Sequence, residues 1–127
     1  GRFYIDALNG FPKSFVSFTM QTLGIEGILK LMNGIPNRKC SVRECHAYYD
    51  GVHLKLFEGN HDGVLSEEIL GVDKEEKWSE LWYIFKPYGF DLTLAEMDSE
   101  TRDNREFNEH NKSSFKDFAD WFESNKV

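Results

Sequence analysis

The dipeptide Asp50-Gly51 joins two segments of alternating polar and apolar residues, and it constrains the fold more than any other feature of the sequence. The flanking segments are Ser41–Tyr49 and Val52–Glu58. Asp-Gly favours a type I′ turn, whose two central residues take positive φ, and such a turn connects antiparallel strands through a two-residue loop. The sequence therefore predicts a β-hairpin over residues 41–58.

A two-residue turn also predicts which side chains share a face of the hairpin. One face is apolar and contains Cys45, Ala47, Tyr49, Val52, Leu54 and Leu56. The other face is polar, and its register places His46 opposite Lys55 and Tyr48 opposite His53, with Glu44 at its end. This division is typical of a sheet with one buried face. We expect the apolar face to be buried and the polar face to be left uncovered by helices.

Two segments of the second half have the spacing of amphipathic helices. Asp73 is the N-cap of the first, whose apolar residues fall at positions 78, 81, 82 and 85, and Pro87 ends it. Ser114 caps the second helix near the C-terminus. Between them, Asp98–Ser113 contains one apolar residue, so we expect a solvated helix or a long surface loop there.

The segment from Pro12 to Asn33 repeats apolar residues at alternating spacings of three and four, which indicates a helix. Gly24 and Gly27 each cost about 1 kcal/mol relative to alanine in a helix interior. We therefore expect a helix that breaks or kinks near Gly24. Alternation over Val16–Met20 leaves a strand open as the alternative.

Strands predicted at Arg2–Leu8 and Tyr88–Leu94 complete the order β-α-β-β-α-β, followed by a C-terminal helix. This order is that of the ferredoxin-like α+β fold, in which two helices cover one face of the sheet. Another α+β topology is the alternative. A chain of 127 residues forms one core, so residues 1–127 are expected to be a single domain.

Composition limits the location of the protein. No apolar run approaches the roughly 18 residues of a membrane span, and the N-terminus lacks the pattern of a signal peptide. Gly1 is not a natural initiator, which leaves a removed leader open. Two cysteines, Cys40 and Cys45, are too few for a disulfide scaffold. A cytoplasmic location with reduced thiols and no membrane partner is expected.

The charge of the chain is unevenly distributed. Residues 1–57 carry a formal charge of +3, and the rest of the chain accounts for the other −10 of the net −7. An acidic surface repels phosphate backbones and accelerates association with basic proteins. The sequence thus disfavours nucleic acid and favours a basic protein as the partner.

The polar hairpin face is the candidate for catalysis. Its residues could supply a general acid, a general base and an anion stabiliser for metal-independent chemistry, and they are His46, His53, Tyr48, Lys55 and Glu44. A metal site is not expected. The spacing of Cys40 and Cys45 is too wide for a zinc knuckle, and the stretch from Glu58 lacks the final carboxylate of a calcium loop because that position is Ile69.

The sequence contains no recognisable catalytic signature, which favours a non-enzymatic protein without a cofactor. The main hypothesis is an acidic inhibitor or modulator of a basic, nucleic-acid-acting protein, of the immunity or anti-defence type. Its binding surface is predicted at Glu96, Asp98, Glu100, Asp103, Glu106 and Glu109. The alternative is a small metal-independent enzyme or ligand-binding domain that uses the polar hairpin face. Self-pairing of an uncovered sheet face into a homodimer is also open.

Overall fold

A computed structural model describes residues 1–73, 79–105 and 108–125. Its framework is an antiparallel sheet in the order β2-β1-β3-β4-β5, with β6 also paired to β4. The strands are β1 Arg2–Ile5, β2 Pro12–Lys13, β3 Lys39–Tyr49, β4 Leu54–Leu65, β5 Phe85–Pro87 and β6 Asn111–Lys112. The helices are α1 Val16–Thr22, α2 Gly24–Leu31, α3 Ser99–Asp103 and α4 Ser114–Ser124, with short 3-10 helices at Asp6–Leu8 and Glu80–Tyr83.

The predicted hairpin is confirmed as β3 and β4, but its turn is longer than predicted. Tyr49 pairs with Leu54 rather than with Val52, so residues 50–53 form a four-residue turn. The Asp50 carboxylate accepts hydrogen bonds from the N–H groups of Val52 and His53 at 2.9 and 2.6 Å. This side-chain turn replaces the predicted type I′ turn. Because the register shifts by two residues, each strand side chain keeps its predicted face.

The prediction of which hairpin face is covered is wrong. Helix α4 packs on the polar face, where the Tyr48 ring centroid lies 5.3 Å from that of Trp121. The apolar face is open over the distal half of the hairpin, with exposed fractions of 69% for Tyr49, 65% for Leu54 and 59% for Leu56. The aromatic residues of α4 provide the apolar side chains that pack on this mostly polar face.

The core lies at the base of the hairpin, on the same side of the sheet as α4. Phe3 and Ile5 of β1 belong to one buried apolar cluster with Ile25 and Ile28 of α2. The cluster also contains Met32, Cys40, Leu65, Leu81, Tyr83, Ile84, Phe85 and Ala95. Among the described residues, the core and α4 thus pack on the same side of the sheet.

The predicted helix break at Gly24 is confirmed. Helix α1 ends at Thr22 and α2 begins at Gly24, whose φ is +66°. A residue with a Cβ is strained at this φ, whereas glycine is not. The break lets two short helices replace one long helix.

The predicted α+β class is confirmed, but the strand order differs from the ferredoxin-like one. In that fold the first strand lies beside the second strand of the central hairpin. Here β1 pairs antiparallel with the first hairpin strand, with Tyr4 opposite Ser41. Helices α1 and α2 therefore lead the chain into β3, the strand that lies directly beside β1.

The predicted helix after Asp73 and the predicted strand Tyr88–Leu94 are corrected in the described part of the chain. Residues 74–78 lie outside the described residues. Ser79 caps a short 3-10 helix by accepting a hydrogen bond from the Leu81 N–H at 3.2 Å. The next residues, Phe85–Pro87, pair with β4 as strand β5. The observed strand therefore ends just before the predicted strand Tyr88–Leu94 begins. Sheet pairing overrides the helical spacing at this point.

The C-terminal helix is confirmed as α4, with its N-cap one residue earlier than predicted. The Ser113 hydroxyl, rather than that of Ser114, accepts a hydrogen bond from the Lys116 N–H at 3.2 Å. The preceding polar segment contains α3 and β6. Among the described residues, no helix has the length and apolar character needed to cross a membrane.

We expect Gly59→Ala to destabilise the fold. A Cβ at Gly59 would lie 2.6 Å from Glu44 Cγ and 2.7 Å from the Ser114 backbone nitrogen, where α4 meets the hairpin. Such overpacking costs about 1–3 kcal/mol. Urea denaturation measures the change in the free energy of unfolding, with Glu58→Ala on the open face as the control. Equal stability of the two variants would contradict this account of the contact.

Candidate functional site

An open cleft of about 740 Å³ lies at the base of the hairpin on the side of the sheet away from the core. Tyr4, Arg43 and Asp62 line it from β1, β3 and β4. Because strand side chains alternate between faces, these residues lie on the same face as the open apolar surface of the hairpin. The cleft and that surface are therefore continuous.

Two cations lie on the β3 side of the cleft. Lys39 and Arg43 are both exposed and both line it. The Arg43 guanidinium lies 4.5 Å from the centre of the Tyr4 ring, which orients it by a cation–π contact. A guanidinium and an ammonium group are suited to bind phosphate oxygens. This side of the cleft could therefore bind an anion.

A stacked ring pair forms the opposite side. The His110 and Tyr88 rings are 3.9 Å apart at an interplanar angle of 22°. Both residues are fastened to β4, since the Asp62 N–H donates to the His110 carbonyl at 2.7 Å and the Tyr88 N–H donates to the Asp62 carbonyl at 2.9 Å. His110 Nδ1 also lies 3.3 Å from Asp62 Oδ2. The pair offers a flat aromatic surface of the kind on which nucleobases stack.

Two carboxylates, those of Asp6 and Asp62, also line the cleft. Asp6 accepts a hydrogen bond from Asn37 Nδ2 at 2.6 Å, and Asp62 accepts one from Asn60 Nδ2 at 2.9 Å. Within the described part of the chain, no three His, Cys, Asp or Glu side chains are grouped so that they could hold a metal ion. A divalent cation at this place would therefore need oxygen atoms of a bound phosphate as further ligands.

The five residues predicted for catalysis do not come together in one site. His46 pairs with Phe57 rather than with Lys55, and Tyr48 pairs with Lys55 rather than with His53. His53 lies in the turn, where it contacts the Asp50 carboxylate. The four-residue turn removes the cross-strand contacts on which the prediction depended. The catalytic role of these side chains stays a prediction, and the five side chains do not share one site.

Glu44 and His46 instead attach α4 to the hairpin. Glu44 Oε1 accepts a hydrogen bond from the Ser114 N–H at 3.0 Å, and His46 Nδ1 lies 2.5 Å from Ser114 Oγ. His61 Nε2 lies 3.6 Å from the same Glu44 oxygen. The hydrogen bond with His61 is the main cause that lowers the pKa of Glu44 to about 2, with a further contribution from Ser114. Glu44 is thus held as a carboxylate beneath the first turn of α4.

The acids predicted to bind a partner are distributed over several local contacts. Glu96 Oε1 accepts a hydrogen bond from the Thr93 N–H at 3.0 Å, and Asp98 caps α3 by accepting one from the Thr101 N–H at 2.7 Å. Glu109 Oε1 lies 3.4 Å from His110 Nε2. The remaining three are Glu100 and Asp103, which are exposed on α3, and Glu106, which lies outside the described residues.

Sequence reasoning missed the cleft. The signal on β3 was the alternation of Lys39, Ser41 and Arg43, which places all three on one face, together with the positive charge of the first half. Asp62 lies in the stretch from Glu58 to Ile69, for which the sequence predicts no metal site. No local pattern connects His110 to Tyr88, because β4 brings these two segments together.

Comparisons with known proteins identify the relatives of this chain. A model of the Ham1 family matches residues 2–121. The dITP/XTP pyrophosphatase of Thermococcus kodakarensis is 35% identical to it, over 96% of this chain and 62% of the relative. The dITP/XTP pyrophosphatase of Saccharolobus solfataricus is 34% identical, over 95% of this chain and 59% of the relative. The chain thus spans about three fifths of the length of these relatives.

Solved structures share the fold. The Staphylococcus aureus Ham1 protein superposes with a TM-score of 0.76 at 18% identity, covering 98% of this chain and 65% of the other. The nucleoside-triphosphatase, or dITP/XTP pyrophosphatase, of Mycobacterium abscessus gives a TM-score of 0.65 at 22% identity, covering 80% and 56%. At these identities the two structures establish the α+β fold.

The predicted function is wrong. The family match and the enzyme names of the relatives overturn the inhibitor hypothesis, the immunity and anti-defence interpretations, the expectation of a non-enzymatic protein and the basic protein partner. The error came from net charge, which influences solubility and association rates but does not identify a binding partner. The single-domain organisation and the cytoplasmic location stay predictions.

We expect Glu44→Gln to lower stability at neutral pH. The folded-state pKa of about 2 lies below the ordinary value of 4.5, so the carboxylate stabilises the fold above pH 4.5 and this contribution is lost as the pH falls toward 2. The expected loss is about 1–2 kcal/mol after discounting for screening, because the side chain is 33% exposed.

Urea denaturation across this pH range measures the effect. The difference between the unmodified chain and Glu44→Gln should shrink as the solution is acidified, whereas Glu58→Gln on the open face should show no such trend. A difference that stays constant with pH would show that the Glu44 charge does not stabilise the attachment of α4.

Proposed function

The chain belongs to the Ham1 family, and we propose that it forms the nucleotide-binding cleft of a pyrophosphatase acting on dITP or XTP, the substrates in the names of its relatives. The observation that carries this proposal is the pairing of two cations with a stacked ring pair in one cleft. The cations are Lys39 and Arg43, and the rings are those of Tyr88 and His110. These two kinds of surface suit the phosphates and the purine base of a nucleotide.

The sheet determines the orientation of the nucleotide in this proposal. Arg43 belongs to β3 and Asp62 to the neighbouring β4, while the ring pair lies beyond Asp62. The triphosphate would therefore lie over β3 and the base against the exposed ring of Tyr88. Asp62 lies between these two ends, where its carboxylate can accept a hydrogen bond from a sugar hydroxyl.

Hydrolysis of a phosphoanhydride bond leaves additional negative charge on the departing phosphate group. Fixed cations beside that group stabilise the transition state more than the ground state, which lowers the barrier. Arg43 is suited to this role because its contact with the Tyr4 ring orients the guanidinium before the nucleotide arrives. Lys39 adds a second charge on the same face of β3.

Replacement of the cations should reduce turnover. A hydrogen bond to a charged group contributes about 1.5–3 kcal/mol, so we expect Arg43→Gln to lower kcat/KM for dITP by about 10- to 100-fold. Lys39→Gln should act in the same direction. Release of pyrophosphate and of phosphate is measured separately with dITP and XTP, and Lys30→Gln on α2 is the control.

Calorimetric titration with dITP accompanies this assay, so that binding and chemistry are separated. An unmodified chain that neither binds nor hydrolyses dITP or XTP would contradict the proposed function. Full activity in the Arg43→Gln, Lys39→Gln double variant would show that the phosphates bind elsewhere.

The ring pair gives an independent test at the other end of the cleft. Loss of base stacking costs about 1–3 kcal/mol, so Tyr88→Ala should raise the Kd for dITP at least about fivefold, whereas Tyr88→Phe should retain binding. Tyr88→Phe keeps the ring that stacks on His110 and is not expected to change the unfolding temperature, whereas Tyr88→Ala loses this contact and is expected to lower it slightly. Equal Kd values for Tyr88→Ala and Tyr88→Phe would exclude stacking at this position.

A further inference from the structure

The cleft ring of His110 belongs to a tight turn, residues 108–111, that leads into strand β6. Backbone hydrogen bonds between Asn108 and Asn111 close the turn in both directions, at 3.1 and 3.2 Å. The Asn108 side chain also accepts a hydrogen bond from the His110 N–H at 2.8 Å. A turn closed in this way moves as a unit, so contacts that fix Asn111 also fix the position of the His110 ring.

The attachment of this turn to the sheet is short. Strand β6 has two residues, and it pairs Asn111 with His61 and Lys112 with Asn60 on β4. Side chains that lie directly opposite each other across a strand pair contribute much of the stability of the pairing. For so short a strand, the pair formed by Asn111 and His61 therefore has a large influence on where the turn lies.

The side chains of His110 and Asn111 lie on opposite faces of the sheet. His110 lines the cleft, whereas the next residue, Asn111, is buried on the face that α4 covers, with 9% of its surface exposed. There Asn111 Oδ1 is hydrogen-bonded to Nδ1 of His61, whose side chain is 16% exposed. Removing one partner of a buried polar pair leaves the other unsatisfied, which favours a shift of the segment that carries it.

The other nitrogen of the His61 ring contacts the attachment of α4. His61 Nε2 lies 3.6 Å from Glu44 Oε1, and the same oxygen accepts a hydrogen bond from the Ser114 N–H at 3.0 Å. His61 therefore holds the segment 110–114 at two points. It contacts Asn111 directly near the start of the segment, and it contacts Ser114 through Glu44 at the end.

We infer that His61 is a positioning residue for nucleotide binding, which holds the His110 ring against Tyr88 from the opposite side of the sheet through its hydrogen bond to Asn111. Because His61 and the ring pair lie on opposite faces of β4, His61 itself does not touch the nucleotide. The role in nucleotide binding rests on the proposed function. The orientation of the ring pair is a property of the chain alone and is tested without a ligand.

The effect of His61 is confined to one end of the cleft. The cations Lys39 and Arg43 belong to β3, and β4 separates that strand from β6. A displaced turn therefore weakens stacking of the base and leaves the surface for the phosphates in place. Loss of folded protein would instead weaken binding at both ends equally.

Two substitutions of His61 separate its two contacts. The amide nitrogen of an asparagine takes about the position of the imidazole Nδ1, so His61→Asn retains a donor for Asn111. The amide of a glutamine reaches the position of Nε2, so His61→Gln retains only the contact with Glu44. His46→Ala is the matched control. His46 Nδ1 also contacts the start of α4, at 2.5 Å from Ser114 Oγ, but His46 pairs with position 57, four residues from His61 along β4.

Calorimetric titration with dITP and with inorganic tripolyphosphate distinguishes the two ends of the cleft. Loss of one buried hydrogen bond should raise the Kd for dITP about fivefold in His61→Gln and in His61→Ala. His61→Asn and His46→Ala should keep this Kd within about twofold of the unmodified value. The Kd for tripolyphosphate should be the same in all four variants, because this probe has no base.

The nuclear Overhauser effect between the ring protons of Tyr88 and His110 reports the stacked pair without a ligand, since the ring centroids are 3.9 Å apart. It should persist in His61→Asn and His46→Ala and weaken in His61→Gln. An unmodified chain that binds neither probe would contradict the proposed function, and this ring signal would still decide whether His61 positions the ring. An unchanged ring signal in His61→Gln, or equal dITP affinities of His61→Gln and His61→Asn, would overturn the inference.

Discussion

The pairing of β3 with β4 is the interaction on which the rest of the structure depends. Eleven residues of β3, Lys39–Tyr49, each have a partner in β4. β1 pairs with one edge of this hairpin, while β5 and β6 pair with the other. The cleft residues Arg43 and Asp62 lie on neighbouring strands of the same pair. A change of register by one residue would move every one of these side chains to the opposite face.

The covered polar face illustrates how a buried polar surface is made stable. Glu44 would be costly beneath a helix without partners, but the Ser114 N–H and the ring of His61 satisfy its carboxylate. Ser114 is fully buried and also contacts His46 through its hydroxyl. Local pattern reasoning assigns polar residues to water, whereas here a helix terminus supplies the hydrogen-bond donor that water would otherwise provide. Because α4 packs on the polar face, the apolar face of the hairpin stays exposed.

Only part of the candidate site could be predicted from the sequence. The predicted hairpin over residues 41–58 contains Arg43, whereas Lys39 and Asp62 lie on extensions of its strands that were not predicted. The ring of His110 reaches Tyr88 only because the backbone of β4 binds both segments. Residues from separate parts of the chain form one site because strand pairing brings them together. Their spacing in the sequence does not predict that pairing. Net charge, in contrast, led to a wrong function because it averages over surfaces that do not act together.

The sequence by itself determined the hairpin, the faces of its strands, the helix break at Gly24 and the C-terminal helix, because local turn, capping and periodicity preferences are strong at these positions. Tertiary structure decided the four-residue turn, the strand β5 in place of a longer helix, and the face on which α4 packs. These outcomes depend on competition between hydrogen bonds and apolar contacts made by residues far apart in the chain. For example, the aromatic residues of α4 pack on Tyr48 and Phe57, and neither segment specifies that contact alone.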